Sequence, residues 1–243
     1  MPHERVGGKV QRFKHGGYGM KMIGIGDWRR AWRGLRAGMA LAVAGMLASC
    51  EMDVESEFGK GVDFGGNDPN LIAALGDSIT AGYGVGEASC YVSRLAGLTG
   101  KRVLNFGVGG AESGAGAAQV GSVLGGYKPG VLLIFYGAND IIHGKGTGYT
   151  IGNLRTMIRA ARANKTIPIV ATLTPTFGAH RFMNSTARTR SQSIRDLARE
   201  ENCLVAEVWN LFGENSAYIL DDGLHPNASG HALIAQAFWE AMQ

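Results

Sequence analysis

Leu71-Ile72-Ala73-Ala74-Leu75-Gly76-Asp77-Ser78 is five apolar residues closed by a glycine and two polar side chains. A run this short, bounded by a turn residue, is a strand buried on both faces rather than a helix. The same unit recurs downstream. Val103–Phe106 is a second strand, Val131–Tyr136 a third and the most apolar, hence central, and Ile167–Leu173 a fourth closed by Pro175. Leu204–Val208 is a fifth. Between them, apolar residues recur at helical spacing: Tyr91, Leu95 and Leu98 up to Gly100, then Ile151, Leu154, Ile158 and Ala161. A polar helix is expected from about Ser185 to Glu201, and a C-terminal one buries Ile234, Ala237, Phe238 and Ala241. Strands alternating with helices give an α/β fold of three α/β/α layers around a five-stranded parallel sheet. In such sheets ligands bind beyond the carboxyl ends of the strands, so the informative residues are those just after each strand.

Composition bounds the alternatives. The 243 residues hold 45% apolar and 18% charged residues, ordinary for a globular chain. The 38 glycines are scattered without period. The pI near 9.0 is unevenly distributed. Residues 1–49 carry nine Lys/Arg against two acids, and the remainder fifteen against eighteen. A basic head on a mildly acidic body is what an export signal on a secreted domain gives, and it speaks against a nucleic-acid-binding face.

Arg29, Arg30, Arg33 and Arg36 precede the apolar run Met39–Ala48, too short for the roughly 20 residues a bilayer span needs. It ends in Leu47-Ala48-Ser49-Cys50, which resembles the bacterial lipobox, in which the cysteine thiol takes a diacylglyceryl group. Residues 1–49 are therefore expected to be a lipoprotein signal peptide, with part of 1–20 a gene-start extension. Residues 50–70, acidic and Gly-rich, are expected to be the lipidated Cys50 and a flexible tether, and 71–243 the domain. By that resemblance Glu51, in place of Asp, favours the periplasmic side of the outer membrane in a cell that has one.

Chemistry-bearing residues do follow the strands. Gly76-Asp77-Ser78 follows the first, where a serine hydroxyl is exposed at the ligand edge, although the tripeptide is also common in plain turns. Asn105-Phe-Gly-Val-Gly-Gly110-Ala-Glu-Ser-Gly follows the second, where glycines let backbone N–H groups approach a substrate. No phosphate-loop or dinucleotide spacing completes there. Tyr136-Gly-Ala-Asn139-Asp140 ends the third and offers an amide donor, or simply a turn. Asp221-Asp222-Gly-Leu-His225-Pro226-Asn227 leads into the last helix, with Pro226 in its first turn and Asp222 three residues before His225. A serine needs a base to take its proton, and the base needs a carboxylate to orient it.

From Leu71 to the C-terminus these blocks resemble the SGNH, or GDSL, hydrolase family, nearest its bacterial arylesterase, thioesterase and lysophospholipase group. The resemblance implies a flavodoxin-like sheet and a serine esterase forming an acyl-enzyme. Ser78 would be the nucleophile, His225 the general base and Asp222 its partner. The Ser78 and Gly110 N–H groups and the Asn139 side chain would form the oxyanion hole, with Gly109 the fallback for Gly110. Ala111-Glu112 stands where the family often has Asp-Thr, and Ala138 where Gly is common.

No cofactor and no metal are expected. His3, His15, His143, His180 and His231 lack ligand spacing and read as surface or loop residues, of which His180 could line the pocket. Arg155, Arg159 and Arg162 read as a solvated helix face. Cys90 and Cys203, placed at opposite edges of the sheet, are expected to be unpaired. The expected partners are a small ester or lysolipid and, through the anchor, a membrane; the chain is expected to be monomeric and to bind no nucleic acid. A carbohydrate O-acetyl esterase is the alternative activity. A catalytically silent ligand-binding lipoprotein is the alternative of another class.

Overall fold

The structure, a computed structural model, describes residues 58–243. The signal-peptide, lipobox and Cys50 expectations lie outside the described residues, as do His3 and His15. Among the described residues five strands, β1 (Asp68–Gly76), β2 (Arg102–Gly107), β3 (Pro129–Phe135), β4 (Ile167–Ala171) and β5 (Leu204–Ala206), form one parallel sheet in the order β2-β1-β3-β4-β5. The central pair is apolar on both faces because both are covered. In β1 and β3, Ile72, Ala74, Val131, Leu133 and Phe135 enter one core, while Ala73, Leu75, Leu132 and Ile134 enter the other.

The first core is closed by the helices Tyr91–Thr99 (α2) and Ala228–Glu240 (α8). The second is closed by Ser113–Tyr127 (α3), Thr147–Ala163 (α5) and Asn184–Glu200 (α6). Short helices Ser78–Ala81 (α1), Ala138–Ile142 (α4) and Val208–Phe212 (α7) follow β1, β3 and β5. The strand order reverses between β1 and β3, so α1 and α4 flank the crevice where such sheets bind ligands. No helix among the described residues is long and apolar enough to cross a membrane.

Several expectations are corrected. Residues 58–70 are not free tether. Phe58 packs against the first core, the Asn67 amide donates to the Asn164 carbonyl at 2.5 Å, and β1 begins at Asp68. Polar composition signals a tether only when the polar groups find no partner, and here they do. The helix α3 was not anticipated, and the fifth strand stops at Ala206 before Val208 turns into α7. Pro226 lies before α8 rather than in its first turn. Asn227 caps that helix, accepting from the Ser229 and Gly230 N–H groups. The arginine stripe of α5 is not simply solvated, since Arg155 and Arg159 converge at 2.9 and 2.7 Å on Glu201, just past α6. Those bonds hold the Glu201 carboxyl below its ordinary range, outweighing the cost of its burial. Cys90 and Cys203 are both free thiols.

His231 is the largest departure from a surface reading. It sits in α8, fully buried, with Nδ1 accepting the Tyr91 N–H at 3.2 Å. Its Nε2 has no partner among the described residues. Burial, reinforced by the positive charge of Arg94 and by His225, pushes its pKa down to about 4. The unfolded chain accepts this proton near 6.5 and the folded one resists it. Stability is therefore full above about 6.5, declines as pH falls, and has lost this contribution below about 4, on the order of 3 kcal/mol. His231→Asn keeps an acceptor for Tyr91 but cannot titrate. Its Tm is expected to fall less steeply than wild type between pH 6.5 and 4, and a parallel decline in both proteins would contradict this assignment.

Candidate active site

The site starts from Gly76, the last residue of β1. A Cβ there would lie 1.9 Å from Thr80 Oγ1, so only glycine lets α1 fold directly back on the strand. Asp77 caps this short helix, its Oδ1 accepting the Ile79 N–H at 3.0 Å, which leaves Ser78 at the first helical position. Ser78 Oγ lies 2.9 Å from His225 Nε2, and His225 Nδ1 lies 2.7 Å from Asp222 Oδ2. With Nδ1 facing a carboxylate, the neutral ring carries its hydrogen there, and Nε2 is free to accept from the serine.

Asp222 is itself held. Its Oδ1 accepts the backbone N–H groups of Leu224 and His225 at 2.9 and 3.0 Å. Partial burial raises its carboxyl, but these N–H groups and the imidazole outweigh that and hold it below the usual carboxylate range. Gly223 between them is left-handed, with φ +74°, and a Cβ would sit 2.3 Å from the Phe177 carbonyl. The Phe177 N–H donates to the Gly223 carbonyl at 2.7 Å, pinning this loop to the one after β4. From that loop His180 Nδ1 lies 3.0 Å from the Asp222 carbonyl oxygen. The Tyr83 ring covers His225, with centroids 4.2 Å apart.

The other wall comes from the loops after β2 and β3. Gly107 presses on α1, where a Cβ would lie 2.2 Å from the Ala81 nitrogen, and the Asn105 amide donates to the Thr80 carbonyl at 2.7 Å. Gly110 has φ +73° and open space on its Cβ side. Asn139, in the first turn of α4, is buried to 9% exposure and donates from Nδ2 to the Ala111 carbonyl at 3.1 Å and to Asp77 Oδ2 at 3.3 Å. The Asn139 amide thus touches a neighbour of Ser78 and a neighbour of Gly110. Desolvation, against the opposing Ile79 N–H, pushes the fully buried Asp77 carboxyl up to about 7.

Ser78, His225 and Asp222 are therefore joined in one hydrogen-bonded chain, and Asn139 and Gly110 are linked through Ala111. Sequence reasoning gave no role to Asp77, Tyr83 or the buried Arg190. It also missed the pair between Glu112 Oε1 and His143 Nδ1 at 2.8 Å, which spans the loops after β2 and β3. Asp77 was at least visible as the middle residue of the serine motif. The signal that singles out Arg190 is its spacing: it stands four residues before Ile194 and seven before Leu197, on the face that α6 buries, unlike Arg188 or Arg199.

A Ser–His–Asp chain at the switch point of a doubly wound sheet is an arrangement of acyl-transferring hydrolases. The model of the GDSL-like lipase/acylhydrolase family matches residues 74–233, and the chain belongs to that family. Its curated relatives include the esterase TesA of Pseudomonas aeruginosa, 25% identical over 179 residues that cover 71% of this chain and 87% of the relative. A crystal structure of TesA superposes with a TM-score of 0.63 at 22% identity, covering 71% of this chain and 98% of that one. The acetylxylan esterase Axe2 of Geobacillus stearothermophilus gives 0.62 at 22% identity, covering 72% and 95%. These two structural likenesses bear on the fold, which they share with this chain.

Proposed function

We propose that this esterase cleaves carboxylic esters through an acyl-enzyme on Ser78, with His225 as general base and Asp222 as its orienting carboxylate. The observation that carries the reading is the unbroken Ser78–His225–Asp222 chain. Ser78 Oγ bonds to the ester carbonyl carbon while its proton passes to His225 Nε2, and the imidazolium formed is stabilised by Asp222. The carbonyl oxygen becomes an oxyanion that receives the Ser78 and Gly110 N–H groups and the Asn139 amide. As the tetrahedral species collapses, the C–O bond to the alcohol breaks and His225 returns the proton to it. Water then attacks the acyl-enzyme, giving a proton to His225, and the acid leaves as Ser78 is reprotonated. For the oxyanion to be received, Asn139 exchanges its longer bond, that to Asp77.

The acyl group is read from the segments that follow the strands. Tyr83, Val108 and Phe182, in the loops after β1, β2 and β4, are 57%, 53% and 72% exposed. Apolar side chains exposed in segments that follow the carboxyl ends of the strands, as Ser78 does, favour an apolar acyl or aryl ester, as in a lysolipid or arylester. The likeness to an acetylxylan esterase supports the second reading, a carbohydrate O-acetyl esterase. A p-nitrophenyl ester series from acetyl to palmitoyl separates them. The first reading expects kcat/KM to rise from acetyl toward medium chains, and a steep fall after acetyl favours the second. No hydrolysis of any member would leave the silent-lipoprotein alternative.

The lipobox motif supports a further part of the proposal, that the protein is exported and anchored by lipid on Cys50. Cells fed an alkyne-tagged palmitate are expected to label the wild-type protein but not Cys50→Ala; equal labelling of both would contradict the anchor.

A further inference from the structure

The site leaves unexplained a buried arginine. Arg190 belongs to α6, yet it is only 1% exposed and ranks among the largest fully buried side chains. Burying a guanidinium is costly unless its donors are used, and here they are used selectively. Nη1 donates to the Gly137 carbonyl at 3.1 Å and Nη2 to the Lys145 carbonyl at 2.8 Å. These two carbonyls lie at the two ends of the segment Gly137–Lys145, which contains α4 and Asn139. Gly137 itself is left-handed at φ +131°, so the chain enters α4 through a conformation that side chains rarely adopt.

Asp140, next to Asn139 and also fully buried, completes the arrangement. It supplies the negative charge that opposes the cost of burying Arg190. Its Oδ1 accepts the Ser113 N–H at 2.9 Å and its Oδ2 the Thr150 hydroxyl at 2.6 Å. Ser113 opens α3 directly after the Gly110–Glu112 turn. Asp140 therefore ties the loop carrying Gly110 to the helix carrying Asn139, while Arg190 grips that helix's segment from both ends.

We propose that Arg190 is a positioning residue for the oxyanion hole, holding Asn139 through the Gly137 and Lys145 carbonyls, with Asp140 keeping the Gly110 loop in register with it. The inference rests on the reading of Asn139 as an oxyanion donor. A fork of two donors can fix both ends of a nine-residue segment, whereas an ammonium group on a flexible stem cannot. Displacements well under the size of an atom at such a donor are enough to slow catalysis.

The test is a double-mutant cycle on kcat for p-nitrophenyl butyrate, using Arg190→Lys, Asn139→Ala and the two combined. Arg190→Lys retains the buried charge and loses the fork. It is expected to lower kcat about ten- to a hundredfold with KM within about twofold, and to cost almost nothing further once Asn139 is alanine. Thr150→Val, which frees one oxygen of Asp140, is a milder second variant should Arg190→Lys fail to fold. Its kcat loss is expected to shrink in the Asn139→Ala background but not to vanish, because Asp140 also holds the Gly110 loop through Ser113. Equal losses in both backgrounds, or wild-type kcat in a folded Arg190→Lys or Thr150→Val protein, overturn the proposal. If Asn139→Ala alone leaves kcat unchanged, the oxyanion reading itself fails, a result visible without any Arg190 variant.

Discussion

Ser78→Ala is expected to abolish ester hydrolysis, with kcat falling by about 10⁴-fold or more, while the protein stays folded. The size of the loss follows from what is removed. Without Oγ no acyl-enzyme forms, and His225 has no proton to take, so only binding and the oxyanion donors are left to act on the substrate. The fold is spared because Ser78 does not cap its own helix; Asp77 does, through the Ile79 N–H. Activity in the purified variant, compared with wild type over the ester series at equal Tm, checks both halves. Undiminished hydrolysis by Ser78→Ala would falsify the mechanism.

Asn139→Ala is the second large effect. Loss of one oxyanion donor costs about 10²–10³ in kcat and leaves KM little changed, since the donor acts on charge that develops after binding. This substitution also has a structural cost. The Ala111 carbonyl and the Asp77 carboxyl each lose a partner in a buried place, and an unmet polar group of that kind costs about 1–3 kcal/mol. A lower Tm is therefore expected alongside the lower kcat. Kinetics measured well below the new Tm separate the two, and a kcat within about threefold of wild type there would remove Asn139 from the oxyanion hole.

The strands were legible because a parallel sheet covered on both faces needs continuous apolar runs, and β1 and β3 have them. The candidate site could be assembled from the sequence for a related reason. The topology sends residues after strand ends to one edge, so Ser78, Gly110, Asn139 and His225 could be gathered without coordinates. What escaped had weak or misleading local signals. The helix α3 carries glycines at 114, 116, 121, 125 and 126, which argue against a helix by propensity. One of them is there for close packing: a Cβ on Gly116 would lie 2.5 Å from the ring of the fully buried Tyr136. His231 and Arg190 are polar residues whose side-chain type assigns them to the outside, although their spacing from Ile234 and Ile194 places both on the buried faces of their helices. Their burial depends on partners that only the tertiary structure supplies, the Tyr91 N–H for one and two loop carbonyls for the other.

The claim that Ser78 is the acylated nucleophile is tested most directly by covalent capture. The purified protein is treated with diethyl p-nitrophenyl phosphate, and its peptides are then mapped by mass spectrometry. The nucleophile displaces p-nitrophenolate and keeps the diethylphosphoryl group. One adduct per chain is expected, on Ser78, forming at the rate at which activity is lost and absent from Ser78→Ala. An adduct on another residue that tracks the loss of activity, or complete inactivation with Ser78 unmodified, would contradict it.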